Sequence, residues 1–218
     1  MIISQITKQI ESTGILVGLP CAVIFCGNDN KEVSHDEILK VLQDKFNNFY
    51  RLKITGEEPL QQTDIAQFCS VISKEGYYFN IETNGLSFNN EVFRLADQIT
   101  IVIQKPSQET INNDVLEKIL AKYDYKTQII AIIKDKENLK TIIDTYERIK
   151  FKKRISLDLS LVPHWEEKNK TLDKTIIKKM EETLLSKRLD IRLMIPQDMF
   201  VWVNKKQNNE QTIHIKTL

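Results

Sequence analysis

The chain has 218 residues, of which 41% are hydrophobic and 28% charged, a composition that suits a soluble α/β domain with a substantial core. Its 31 basic and 30 acidic residues leave a formal net charge of +1, which speaks against a dedicated nucleic-acid binder. No apolar run approaches the ~20 residues needed to span a bilayer. The segment from Met1 to Gly14 has no signal-peptide core, so the expected location is the cytoplasm.

In chain order, short β-rich runs alternate with amphipathic helical segments. A strand is expected over residues 21–25. Ser34 and Glu37 have the spacing of a capping box, so a helix starts there, and Ile38, Leu39, Val41 and Leu42 continue it at helical spacing. A second strand follows over 50–55, then a helix over 63–75 that Gly76 ends. Strands are expected over 77–82, 99–103 and 127–133. Between the last two, Val115, Leu116, Ile119 and Leu120 form a helical stripe. A helix over 138–149, a strand over 154–162, a helix over 172–185 and a short strand over 191–195 follow. Residues 212–216 alternate and read as an added edge strand.

Strand–helix repetition gives parallel strands joined by helical crossovers. Periodicity fits a partly closed barrel and an open doubly wound sheet equally well. No linker rich in Pro, Gly or Ser divides the chain, so residues 1–218 read as one domain. The three cysteines, Cys21, Cys26 and Cys69, have spacings that fit neither a disulfide framework nor a zinc ribbon. Cys21 and Cys69 sit in apolar stretches and read as buried thiols.

In either architecture function gathers where strands end and loops begin. Four such junctions are unusual: residues 14–20, with Gly14, Gly18 and Pro20; Thr55-Gly-Glu-Glu-Pro59; Glu82-Thr-Asn-Gly85; and Arg192 to Gln197. Taken alone, the second and third also read as ordinary turns. What sets them apart is that each puts a carboxylate and small polar residues at the end of a neighbouring parallel strand. His35, His164 and His214 are scattered, Trp165 and Trp202 read as packing residues, and the basic run from Lys150 to Arg154 reads as a solvated loop.

Ile54-Thr-Gly-Glu-Glu-Pro-Leu-Gln61 followed by Ile81-Glu-Thr-Asn-Gly85 resembles the 7-carboxy-7-deazaguanine synthase family. These are radical S-adenosylmethionine (SAM) enzymes of the queuosine and deazapurine pathway. The family pattern is Thr-Gly-Gly-Glu-Pro-Leu, then Glu-Thr-Asn-Gly about one βα unit later. Ile10 to Gly14 with Gly18-Leu-Pro20, Gln104-Lys-Pro106, and Arg192 to Gln197 are similar to further family segments, in the family's order. The resemblance implies a partial (β/α) barrel of about six parallel strands with helical crossovers. It also implies a residual SAM-type pocket at Thr55, Gly56, Glu58, Thr83 and Asn84, and substrate-side residues Glu11, Thr13, Lys105 and Gln197.

The departures from the family pattern bear on function. Radical SAM enzymes hold a 4Fe–4S cluster on a Cys-x3-Cys-x2-Cys loop after the first strand; three thiolates each bind one iron and leave the fourth open for SAM. Here the equivalent stretch, Cys26 to Val33, contains one cysteine, and the cluster is expected to be absent. Glu58 keeps the carboxylate that meets the SAM amino group in the family, but Glu57 replaces the second glycine, where close backbone approach is implied. The family's opening Gln and Glu are Glu11 and Thr13 here, its first-strand Arg is Ile24, and its closing His is Met199. A substrate carboxylate without its Arg partner is costly to bury.

The expected function is therefore that of a non-catalytic homologue that binds a protein partner or a purine-like small molecule, as a homodimer. No cofactor is expected, SAM and Mg2+ being those the resemblance would allow. The alternative is an enzyme of the same pathway with changed, divalent-metal chemistry. It would be built from Glu57, Glu58 and Glu82, with Glu11 beside them, and it requires those carboxylates to share one point.

Overall fold

The computed structural model describes residues 1–27, 32–107, 110–153, 157–166, 171–196 and 212–214. Its first strand, β1 (Ile3–Ile10), leads by a loop into β2 (Pro20–Cys26), and α1 (His35–Lys45) follows. Then come β3 (Arg51–Gly56), α2 (Ile65–Lys74), β4 (Tyr78–Thr83), α3 (Asn90–Leu95) and β5 (Gln98–Ile103). The series continues with α4 (Asn113–Tyr123), β6 (Thr127–Ile133), α5 (Lys136–Lys153) and β7 (Asp158–Pro163). It ends with a small pair β8 (Trp165–Glu166) and β9 (Thr171–Leu172), then α6 (Lys174–Lys187), β10 (Arg192–Leu193) and β11 (Thr212–His214).

Among the described residues nine strands form one sheet in the order β10-β7-β6-β5-β4-β3-β2-β1-β11. Strands β2 to β7 and β10 run parallel, while β1 is antiparallel to both β2 and β11. Right-handed crossovers put each connecting helix on a fixed side of its strands. Because β2 to β7 follow one another across the sheet in a single direction, their helices gather on one face. That face carries Ile24, Ile54, Ile81, Ile101, Ile129 and Leu161, which join Leu42, Phe68, Ile119 and Tyr146 from the helices in one buried core.

The helix starts follow the capping rules. Ser34 accepts from the Glu37 amide while the Glu37 carboxylate accepts from the Ser34 amide, the box expected from their spacing. Asn89, Asn112 and Asp173 cap α3, α4 and α6 by the same kind of bond. Gly76, just past α2, takes the left-handed conformation with φ 82°. No helix among the described residues is long and apolar enough to cross a membrane.

Four elements are absent from the periodic reading: β1, α3 and the two-residue strands β8 and β9. In β1 the apolar residues Ile3, Ile6 and Ile10 are spaced by three and four, which does not look like a strand. A register shift between Ile3 and Gln5 brings Ile3 and Ile6 both into the core. Helix α3 has six residues, too few to show a stripe. The strand expected from residue 154 is seen over Asp158–Pro163, residues 154–156 lying outside the described ones. Of the edge strand expected over 212–216, Thr212–His214 pairs with β1, Ile6 opposite Ile213, and residues 215 and 216 lie outside the described ones.

Candidate functional site

The parallel strands are largely buried on both sides, and the helix side is mostly apolar. Alternation sends every second side chain to the other face. There the register sets Lys53 beside Asn80 and Asn80 beside Gln98, with Glu82, Thr100, Gln128 and Asp158 in the next row. A polar lining along consecutive parallel strands departs from the near-continuous hydrophobic runs such strands usually carry.

Lys53 is the hub of this face. Its ammonium lies 2.8 Å from a Glu82 carboxylate oxygen and 3.2 Å from Glu11. Burial works against the charged ammonium, but the two carboxylates outweigh it and push the Lys53 pKa up. The other Glu82 oxygen accepts from the Thr55 hydroxyl at 2.6 Å, and the Cys21 thiol points at Glu11 from 3.7 Å. Beside this network a second chain of bonds runs across three strands. The Gln128 amide donates to Thr100 Oγ1 at 2.8 Å, and Thr100 donates to Asn80 Oδ1 at 2.9 Å.

The β1–β2 loop is fastened over this face. Glu11 ties it to Lys53, and the Ile15 amide donates to Gln128 Oε1 at 2.8 Å. Gly14, at φ 81°, makes the close approach feasible, since a Cβ there would lie 2.6 Å from the Gln128 amide. Among the described residues, the buried side-chain polar atoms without a partner all lie on this face: Thr7 Oγ1, Arg51 Nε, both amide atoms of Gln98, and Ser160 Oγ.

A separate cluster joins the ends of β3 and β4. Glu58 is buried, and one of its oxygens accepts from the Thr83 hydroxyl at 2.8 Å and the Leu60 amide at 3.2 Å. The other accepts from the Asn84 amide at 2.8 Å. Gly56 holds φ 119°, and a Cβ there would lie 2.0 Å from the Cys26 carbonyl oxygen, so the turn requires glycine.

The structure thus brings the expected pocket residues Glu58, Thr83 and Asn84 together, with Gly56 in the adjoining turn, while Thr55 bonds to Glu82 on the polar face. Glu11 and Thr13 border the Lys53 network. Glu57 is exposed, and its amide donates to Cys26. Lys105 is exposed on the β5–α4 loop, and Gln197 and Met199 lie outside the described residues. The four carboxylates do not share one point: Glu11 and Glu82 engage Lys53, whereas Glu58 is held by Thr83 and Asn84. Among the described residues no group of three or more His, Cys, Asp or Glu side chains is arranged to hold a metal ion. Lys53, Asn80, Thr100 and Gln128 escaped the sequence reading; their signal was polar residues at alternate positions within otherwise apolar strands.

The three thiols are all buried and unpaired. Cys21 and Cys26 stand five residues apart on one strand, hence on opposite faces and roughly 16 Å apart. Cys26 and Cys69 belong to the core beneath the helices, and Cys21 faces Glu11. Burial pushes each thiol up to about 12.

No family model matches the chain, and no curated protein matches it in sequence. Its likeness to known proteins is structural. QueE from Escherichia coli superposes with a TM-score of 0.61 at 14% identity, over 88% of this chain and 92% of that one. Streptococcus suis SuiB bound to S-adenosylmethionine gives a TM-score of 0.55 at 14% identity over 79% of this chain, which spans 45% of the length of SuiB. SuiB bound to its precursor peptide SuiA gives the same score and identity over 78% of this chain. The chain shares with these proteins an α/β fold of parallel strands and helical crossovers.

Proposed function

We propose that the chain is a non-catalytic relative of 7-carboxy-7-deazaguanine synthase that has lost the 4Fe–4S site and acts by binding, in the cytoplasm and as a homodimer. The observation that carries this reading is the placement of the cysteines. A radical SAM cluster needs three thiolates around one point, and of the chain's three thiols Cys21 lies on the opposite side of the sheet from Cys26 and Cys69, all three being buried. The residues present do not fit the cluster.

The SAM-side residues support the same reading. In the family the carboxylate at the position of Glu58 meets the SAM amino group. Here three of its roughly four acceptor positions are already taken by donors of its own chain. The retained glycines and Pro59 serve the backbone: Gly56 lets β3 turn against the Cys26 carbonyl, and Pro59 opens a short 3-10 turn behind Glu58. A scaffold kept in shape while its chemistry is withdrawn is consistent with this pattern. Anaerobic reconstitution with iron and sulfide tests the proposal, which expects no bound cluster.

A further inference from the structure

The polar face raises a separate question: what neutralises two enclosed carboxylates inside the sheet. Glu11 and Glu82 stand on either side of the Lys53 ammonium, at 3.2 and 2.8 Å, and all three side chains are largely withdrawn from solvent. A carboxylate pair in such a place demands a cation. The space they border with Thr13, Leu16 and Gln128 is packed too closely to admit a water-sized sphere. Gln98 and Ser160, whose polar atoms are unpartnered, do not border it.

We infer that Lys53 is a tethered occupant of this interior: its ammonium fills the place between Glu11 and Glu82 that the cationic group of a ligand would take. The chain closes its own pocket. Glu11 belongs to the β1–β2 loop, so the same ion pair that satisfies Lys53 also holds that loop down, with Gln128 gripping the Ile15 amide as a second fastening. The inference rests on the non-catalytic reading and deepens it. With the interior self-filled, binding falls to the outer surface, and a protein partner is favoured over a purine-like small molecule.

The test is thermal unfolding of the full chain. Lys53→Ala leaves both carboxylates without a counter-charge and is expected to lower Tm on the order of 10 °C. n-Propylamine, which matches the deleted atoms, should restore part of that loss saturably, while n-propanol should not. The wild-type chain should respond to neither, nor to guanine. Should Lys53→Ala fail to fold, Lys53→Met keeps the stem; adding Glu82→Gln to it should recover stability, because one unpaired charge is then removed. A wild-type Tm that rises saturably with guanine or propylamine would overturn the inference, as would a Lys53→Met variant as stable as wild type. Iron uptake is read separately, so an open interior and a surviving cluster site are distinguishable failures.

Discussion

Glu58 accepts a hydrogen bond from the Thr83 hydroxyl at 2.8 Å, which joins the loop leaving β3 to the loop leaving β4. The Asn84 amide adds a second bond of the same length to the other carboxylate oxygen. Both are charge-assisted, and the Thr83 bond is buried while the Asn84 bond is partly so, which makes this clasp worth more than an exposed contact. Glu58→Ala is expected to cost about 3 kcal/mol of stability in urea unfolding, and Thr83→Val about 1–2 kcal/mol. In a double-mutant cycle the two should be non-additive by about 1 kcal/mol or more. Additive costs would mean that the pair is not coupled.

Two glycines with positive φ, 119° at Gly56 and 82° at Gly76, differ in what surrounds them. A Cβ on Gly56 would lie 2.0 Å from the Cys26 carbonyl oxygen, whereas one on Gly76 would meet nothing within 4 Å. Gly76→Ala should therefore cost only the backbone strain, about 1–2 kcal/mol. Gly56→Ala adds a backbone collision between β2 and β3 and should cost several-fold more or prevent folding. Circular dichroism melts of the two variants side by side read the difference.

The three thiols set an alkaline limit on stability. Each has its folded pKa raised to about 12, against about 8.5 in an unfolded chain. Below about pH 8.5 both states keep their thiols protonated and the stabilisation is complete. Above it only the unfolded chain ionises, and stability falls as pH rises toward 12. The expected slope is about 1.4 kcal/mol per pH unit for each thiol once its unfolded form is fully ionised. Replacing Cys69 with Ala should flatten the curve by one such increment. At pH 8 the native protein should resist iodoacetamide at all three positions and react after unfolding.

Asp64 acts at the opposite end of the pH scale. Burial opposes its ionisation, but hydrogen bonds from the Met1 ammonium and His35, each at 2.8 Å, prevail and hold its carboxyl below the usual range. A depressed carboxyl contributes stability above its unfolded pKa, about 3.9, and loses it as pH falls through the folded value. The stability gap between wild type and Asp64→Asn should therefore shrink as pH drops from 5 to 3. A gap that stays constant over that range would assign the effect to something other than charge.

The helical crossovers were legible because each strand of β2 to β7 pairs with its neighbour in sequence, and local periodicity then suffices. The Glu58 clasp was half legible: the residues of both loops stood out as motifs, but that they bond to each other depends on β3 and β4 being adjacent and in register. Lys53 was hidden for a different reason. Read along residues 50–55 it is one of three alternating polar residues in a strand, and its meaning appears only when Glu11 and Glu82, 42 and 29 residues away in the chain, are brought to either side of it. Strand β1 was missed because its bulge breaks the alternation by which strands are recognised.

The most direct test of the account is anaerobic reconstitution of the purified chain with iron and sulfide, followed by measurement of bound iron and visible absorption. With Cys21 on the opposite side of the sheet from Cys26 and Cys69, three thiolates cannot meet at one point, which predicts negligible iron and no cluster absorption band. About four irons per chain with that band would contradict the account and return the protein to radical SAM chemistry.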